Sequence, residues 1–471
     1  MAVKRVITNF FFLISGEMVA KFLYFLAIVF TVRHLSVEDF GQLGFAEAFF
    51  SYFIYIGIAG VDTIATRDVA RNEGLRNTYL ANVLSLKLVL SLMTYCLLAS
   101  LIIMAKVSPQ LKRMTLLYGL CLFPMAISTE WFFQGIEDVK YVGVFRASRE
   151  ILYLIGIVSV LSLIPDVYYV PVIRITSMLV ASSLLLVIVV KMGFKPHLEA
   201  KVELWKTLLK QSYPILISQV MVIAIYSLSI VLLGLLSRIK EIALFTVAQK
   251  IVFFFIALVG VYWITVFPVL SRLYVESRER LRIFEEKVSK TLCVFVVPVG
   301  ILGFVLAKSI VLALYGSEYV RSVAMFQILV WAAVFNMLNG CFVCGLLATN
   351  NQFLHLKAVL LQVVLMGVLA AILVPKFGGL GASIAWLSVE VCGFFLCKKF
   401  YNRVITFKFY RFLIKPVLAS VIVVLVSTYF DGVNILFVLP ICLVGYLGIM
   451  LAIKGIEISE LKLIYQSLTV R

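Results

Sequence analysis

Fourteen apolar runs, each about as long as a bilayer is thick, recur along the chain with little between them. They fall at 7–32, 41–61, 79–105, 114–133, 143–164, 167–190, 212–236, 243–267, 291–314, 323–348, 355–374, 379–397, 412–430 and 434–453. A helix needs about 20 apolar residues to cross the hydrocarbon core. Of the 471 residues, 63% are apolar and 14% charged, against about half and a quarter in a soluble chain. These figures exclude a globular soluble enzyme and a disordered chain. Solid runs also exclude an outer-membrane barrel, which reads as short alternating segments. The expected fold is an all-α polytopic membrane protein with fourteen transmembrane helices.

Loop charge orients it. With the N-terminus in the cytoplasm, the cytoplasmic side collects 27 of the 42 Lys and Arg, counting Lys357 and Lys415 at the ends of their spans. The outer loops hold 8 and the spans 7. Cytoplasmic loops gather cations in this way, and an even number of spans returns the C-terminus to the same side. The net charge of +18 therefore reads as topology and not as nucleic-acid binding. Lys4 and Arg5 precede an apolar stretch that runs to Val32. It is too long for a signal-peptide core and is read as the first span.

The loops are too short for a catalytic or nucleotide-binding domain, and no G-x-x-x-x-G-K-[ST] occurs,. No enzyme activity and no cofactor are expected. Cys341-x-x-Cys344 lacks a second pair or a His cluster. It is read as packing and not as a metal site.

An internal repeat is visible. Phe40-Gly41 and Ala46-Glu47 align with Ile242-Ala243 and Ala248-Gln249 at an offset of 202. Gly135 and Pro165 align with Gly345 and Pro375 at 210. The chain is accordingly divided into a lobe at 1–195, a second at 205–403, and two additional helices in 404–471. Each lobe would hold six spans.

Seven cations lie inside spans: Lys21, Lys87, Arg146, Arg149, Arg174, Lys250 and Lys308. Each costs about 2.5–3.5 kcal/mol at a span centre, so they must snorkel, pair or face a water-filled cavity. Lys21 and Lys250 are mid-span, where snorkelling is hardest, and are assigned to a cavity. Glu17 and Lys21 share a helix face at i,i+4. Arg146 and Arg149 snorkel or pair with Glu150. Arg174 and Lys308 sit near outer ends as anchors, and Lys87 is open between the two roles. Polar stripes recur at Glu47, Ser51, Tyr55 and Asp62, and at Thr246, Gln249 and Lys250. The carboxylates Glu17, Glu47, Asp62, Glu130, Glu150 and Glu390 are fewer than the cations. That excess points to an anionic ligand, and a pyrophosphate could be held by two or three Lys or Arg. Gln219, Asn336, Asn339 and Gln362 could meet sugar hydroxyls.

Four motifs carry a family resemblance. Leu35-Ser36-x-Glu38-Asp39-Phe40-Gly41 leads to Ala46-Glu47. Glu130-Trp131-Phe132-Phe133-Gln134-Gly135 ends the fourth span, and Pro268-x-x-Ser271-Arg272 ends the eighth. Pro375-x-x-Gly378-x-x-Gly381-Ala382 lies between the eleventh and twelfth. With the topology, the set resembles the O-antigen and capsule flippases of the multidrug/oligosaccharidyl-lipid/polysaccharide exporter superfamily over essentially the whole chain. The resemblance implies a V-shaped pair of six-helix lobes in the bacterial inner membrane. It implies alternating access and transfer of an undecaprenyl-pyrophosphate-linked oligosaccharide to the periplasmic leaflet. The polysaccharide polymerase machinery and membrane lipids are the implied partners, and a proton or sodium gradient is the implied drive. Substrate binding then falls to Lys21, Lys250, Arg149, Arg146, Lys87, Arg174, Gln249, Gln219 and Asn336. Ion coupling falls to Glu17, Glu47 and Asp62. A multidrug or small-metabolite exporter of the same superfamily is the alternative. A lipid II flippase and a membrane glycosyl-polymerase fit less well.

Overall fold

The computed structural model describes residues 2–427 and 435–455. Among the described residues the regular structure is helical, and eleven helices are long and apolar enough to cross a membrane. The chain divides into two compact units, residues 1–246 with 366–382, and residues 247–365 with 383–471. These units follow contacts in space, whereas the lobes 1–195 and 205–403 were drawn from the repeat.

In the first unit the helices are α1 (Ala2–His34), α2 (Val37–Ile58), α3 (Val61–Arg71), α4 (Arg76–Met104), α5 (Pro109–Gly119), α6 (Leu122–Ile127), α7 (Glu130–Gly135), α8 (Lys140–Leu161), α9 (Tyr169–Lys191) and α10 (Val202–Leu235). The Ser36 motif is an N-cap: its hydroxyl accepts from the Asp39 N–H at 3.1 Å and starts α2, as Ser does at helix starts. α1 packs along α8, and α8 also packs on α9. Gly16 makes this possible, because a Cβ there would strike the backbone of Gly143. Small residues let membrane helices approach this closely.

Two spans depart from the expectation of single helices. The second breaks at Ala59 (φ 50°) and Gly60 (φ 68°), so Asp62 opens α3 and does not continue the face of Glu47. The fourth is split into α5, α6 and α7. Pro124 sits in the first turn of α6, where its missing N–H leaves no bond unmade, and Ser128 then turns to extended backbone (ψ 127°). Trp131, Phe132 and Phe133 of α7 are buried with Leu80 and Val83 of α4 and Leu185 of α9. The linker before α10 is strapped to α4. The N–H groups of Glu199 and Lys201 donate to Ser85 Oγ at 2.9 Å and Asn82 Oδ1 at 2.7 Å. Lys201, 3.0 Å from Glu199, holds that carboxyl below the usual carboxylate range.

Beyond α10 come α11 (Ile239–Glu276), α12 (Arg278–Val305), α13 (Ala307–Tyr315), α14 (Ser322–Ala348), α15 (Gln352–Tyr401), α16 (Ile414–Ser427) and α17 (Ile435–Ala452). The expected loop after the eighth span is instead helix on both sides of Ser277, which caps α12. The ninth span breaks at Leu306. α15 holds the eleventh and twelfth spans, separated by a reversal at Gly378 (φ 57°, ψ −131°). In the second unit α12 packs on α14 and α16, and α16 on α17. Their core contains Val294, Leu302, Ala419, Val423, Cys442 and Tyr446.

The count of eleven differs from fourteen at three places. α8 stands where the fifth span was expected but carries three charges, Arg146, Arg149 and Glu150, within one bilayer's length. The two helical arms of α15, which meet at the Gly378 reversal, are counted once, and of α17 only Pro440–Ala452 enters the count. The cytoplasmic C-terminus expected beyond residue 455 lies outside the described residues.

Candidate functional site

The breaks in the second and fourth spans bring polar side chains together inside the first unit. Where a helix stops inside a bilayer, its freed backbone groups need internal partners. Lys87 of α4 supplies one. Its ammonium lies 3.3 Å from the Ser128 carbonyl and 3.0 Å from the Asp62 carboxylate. Thr66 Oγ1 donates to the Trp131 carbonyl at 3.0 Å, and Ser91 Oγ to the Leu122 carbonyl at 3.3 Å.

A pocket of about 350 Å³ opens beside these breaks. Lys87, Arg146 and Arg149 line it, with Asp62 and Glu130 between them. Its walls include Trp131, Gln134 and Phe145. Arg146 donates to Glu17 at 2.8 Å and to Glu130. Lys21 pairs with the same Glu17 at 3.5 Å, one helical turn away. A second chain leads inward. Arg149 bonds Glu150 at 2.8 Å, and Glu150 accepts from Arg174 at 2.7 Å. The Arg174 guanidinium lies over the rings of Tyr153 (4.8 Å) and Tyr24 (5.3 Å). Tyr24 Oη donates to Glu47 at 2.5 Å.

Five cations, Lys21, Lys87, Arg146, Arg149 and Arg174, are thus interleaved with five carboxylates, Glu17, Glu47, Asp62, Glu130 and Glu150. Among these intramembrane groups the expected excess of positive charge is absent. The reason is energetic: a charge taken out of water persists when paired and hydrogen-bonded. Arg174, expected as an end anchor, is instead a largely enclosed member of this chain. Arg149 takes the internal pair with Glu150. Lys308 is exposed at the start of α13.

Other expected residues stand apart. Ser51 hydrogen-bonds Ser227 of α10 at 3.1 Å. Gln219 is half-buried on α10, and its Oε1 is buried with no hydrogen bond among the described residues. Gln249 is buried, and Lys250 half-buried, in the second unit. In that unit Asn336 donates to both oxygens of the buried Glu390 at 3.1 Å, and Trp386 donates to one at 3.0 Å. Gln362 donates to the Val389 carbonyl at 3.3 Å.

Sequence reasoning placed Glu130 in the membrane but not in the site. It missed Trp131, Gln134 and Phe145 as pocket walls. A signal existed in Pro124 inside an apolar run, followed by Ser128-Thr129 and the Glu130–Gly135 motif, which together mark a broken span.

Solved structures share this fold. Lipid II flippase MurJ, inward closed conformation, superposes with a TM-score of 0.70 at 15% identity, over 95% of this chain and 98% of that one. An inward-facing multidrug resistance MATE family transporter of the MOP superfamily gives 0.66 at 16%, over 82% and 95%. A MOP superfamily transporter from Pyrococcus furiosus, described as having a binding pocket of reverse polarity, gives 0.56 at 16%, over 85% and 97%. The chain shares the multi-pass helical fold of these three proteins. No curated protein matches the sequence. The family model described as polysaccharide biosynthesis protein matches residues 6–274, more than half of the chain, and the chain therefore belongs to that family.

Proposed function

We propose that the protein flips an undecaprenyl-pyrophosphate-linked oligosaccharide from the cytoplasmic to the periplasmic leaflet of the bacterial inner membrane. The observation that carries this reading is the first-unit pocket, in which three cations are held by carboxylates beside an aromatic wall. A pyrophosphate offers the same guanidinium and ammonium groups stronger acceptors than a carboxylate does, and Arg binds phosphate in bidentate fashion. On headgroup entry, Arg146 and Lys87 exchange Glu130 and Asp62 for phosphate oxygens. Ion coupling is assigned to Glu17, Glu47 and Asp62, the carboxylates that this network holds against Lys21, Tyr24 and Lys87. Trp131 and Phe145 offer faces for sugar rings, and Gln134 and Gln219 offer amides for hydroxyls. Lys250, Gln249 and Asn336 are proposed as further substrate contacts on the second unit. Fourteen spans, alternating access between the repeat-related lobes, and contact with the polymerase machinery belong to the same reading.

The test is reconstitution. Purified protein in liposomes is given the labelled pyrophosphate-linked oligosaccharide, and headgroup exposure is followed with and without a proton or sodium gradient. Gradient-dependent flipping that is lost in Arg146→Ala supports the proposal. The likeness to MATE transporters favours the second reading, a cation-coupled exporter of small molecules. Gradient-driven movement of organic cations without glycolipid flipping would select it.

A further inference from the structure

We propose that the end of the second unit where α12 begins and α15 ends binds the headgroup of an anionic glycerophospholipid. Between Glu390 and Asp431 the chain has no acidic residue, yet it carries Lys398, Lys399, Arg403, Lys408, Arg411 and Lys415. Four to eight cations next to a membrane helix are the usual mark of attraction to anionic lipid.

This strip has a fixed shape. Tyr401, Ile405 and Phe409 are buried. The Phe409 ring lies 5.3 Å from that of Phe342 and 5.8 Å from that of Phe394. Tyr401 Oη donates to Glu285 of α12 at 2.8 Å. With the apolar side anchored, Arg403, Lys408, Arg411 and Lys415 are exposed. The Lys398 ammonium lies 3.3 Å from the centre of the Tyr410 ring.

Against this strip stands the first turn of α12. An open pocket of about 370 Å³ is bounded by Arg278, Glu279 and Arg282 on one side and Val404, Ile405 and Thr406 on the other. Arg278 and Arg282 are one helical turn apart on one face. Both are exposed, and neither has an ion pair or hydrogen bond among the described residues. Topology alone calls for cations at this end of the molecule. It does not call for two unpaired arginines facing one pocket.

The pocket's chemistry selects a ligand class. Two guanidinium groups suit a phosphodiester. Glu279 beside them accepts hydrogen bonds from headgroup hydroxyls, and Thr406 adds one more polar contact. Phosphate with neighbouring hydroxyls describes a glycerol headgroup. The apolar part of the ligand also has a place. α16 starts at the end of the strip, with Lys415 in its first turn, and exposes Ile414, Val417 and Leu418 at 60, 39 and 55%, a surface for acyl chains. A water-soluble phosphate ester would make no use of it.

Delipidated full-length protein in detergent is titrated with phosphatidylglycerol or phosphatidylcholine, and bound lipid is counted by native mass spectrometry. Each cation near an anionic surface is worth roughly fivefold in affinity. The Arg278→Gln/Arg282→Gln pair should therefore weaken phosphatidylglycerol binding roughly 25-fold. Lys191→Gln/Lys195→Gln, with the same charge loss on the first unit, should leave it unchanged, and Arg278→Lys/Arg282→Lys should retain part of it. Equal loss in the first-unit control, equal binding of phosphatidylcholine, or unchanged binding in the arginine pair would overturn the proposal. So would glycerol phosphate competing as well as the intact lipid, which would make the ligand a free phosphate ester.

Discussion

Arg146 on α8 donates to Glu17 on α1 at 2.8 Å, joining positions 129 residues apart in the chain. Glu130 on α7 binds the same guanidinium. One side chain therefore ties three helices around the pocket; Glu130 depends on it for compensation, while Glu17 also has Lys21.

Replacing Arg146 tests structure and transport separately. Arg146→Ala leaves Glu17 and Glu130 without their shared partner. The group is about three-quarters enclosed, so the loss is expected near 2 kcal/mol, below the full cost of breaking a buried pair. Flipping should fall at least tenfold. Arg146→Ala with Glu130→Gln should recover thermal stability and leave flipping low. Recovery of both together would give Arg146 a structural role only.

Lys87 makes a sharper case, since its side chain is 2% exposed and meets both Asp62 and the Ser128 carbonyl. Lys87→Met keeps the length and removes the charge. It should cost about 3 kcal/mol by stranding Asp62, read as a lower unfolding midpoint in detergent. Adding Asp62→Asn should restore most of that midpoint. If flipping also returns, neither charge handles substrate.

How far the sequence revealed this site follows from spacing. Glu17 and Lys21 pair as their i,i+4 separation requires, and Arg149 with Glu150 are adjacent. Such contacts are local and therefore legible. Arg174 with Glu150, Lys87 with Asp62 and Arg146 with Glu130 depend on which helices become neighbours, and periodicity does not carry that information. The helices themselves were legible because lipid forces each apolar run into one. The breaks at Gly60 and Ser128 were not, since they are set by what surrounds them. Charge balance was misread for the same reason: a count along the chain cannot show that five cations of the first unit each meet a carboxylate.

Gly16 offers a prediction about packing alone. A Cβ at this position meets the Gly143 backbone, which has no flexible end to yield. Gly16→Ala should push α1 from α8 and weaken the Glu17–Arg146 bond next to it. A lower midpoint and reduced flipping are expected together. Gly367→Ala, with open space around it, should change neither, which makes it the control.

Lys250 carries the expectation for the second unit. Lys250→Ala should cripple transport while leaving membrane insertion and yield intact, and Lys250→Arg should keep part of the rate if charge is what matters. Wild-type flipping in the alanine variant would remove it from the substrate path.

Orientation is open to a direct measurement at the junction of α11 and α12. Val275 is 86% exposed just before Ser277, so a cysteine there is within reach of reagent on its own side. Cys96 is exposed as well, and Cys96→Ser clears that background. In this variant, Val275→Cys should resist a membrane-impermeant thiol reagent in intact cells and react after permeabilisation. The 27 Lys and Arg assigned to the cytoplasmic side require that result, because moving so many cations across an energised membrane is opposed by the potential and by the positive-inside bias. Reaction in intact cells would invert the topology and turn the proposed direction of transport around with it.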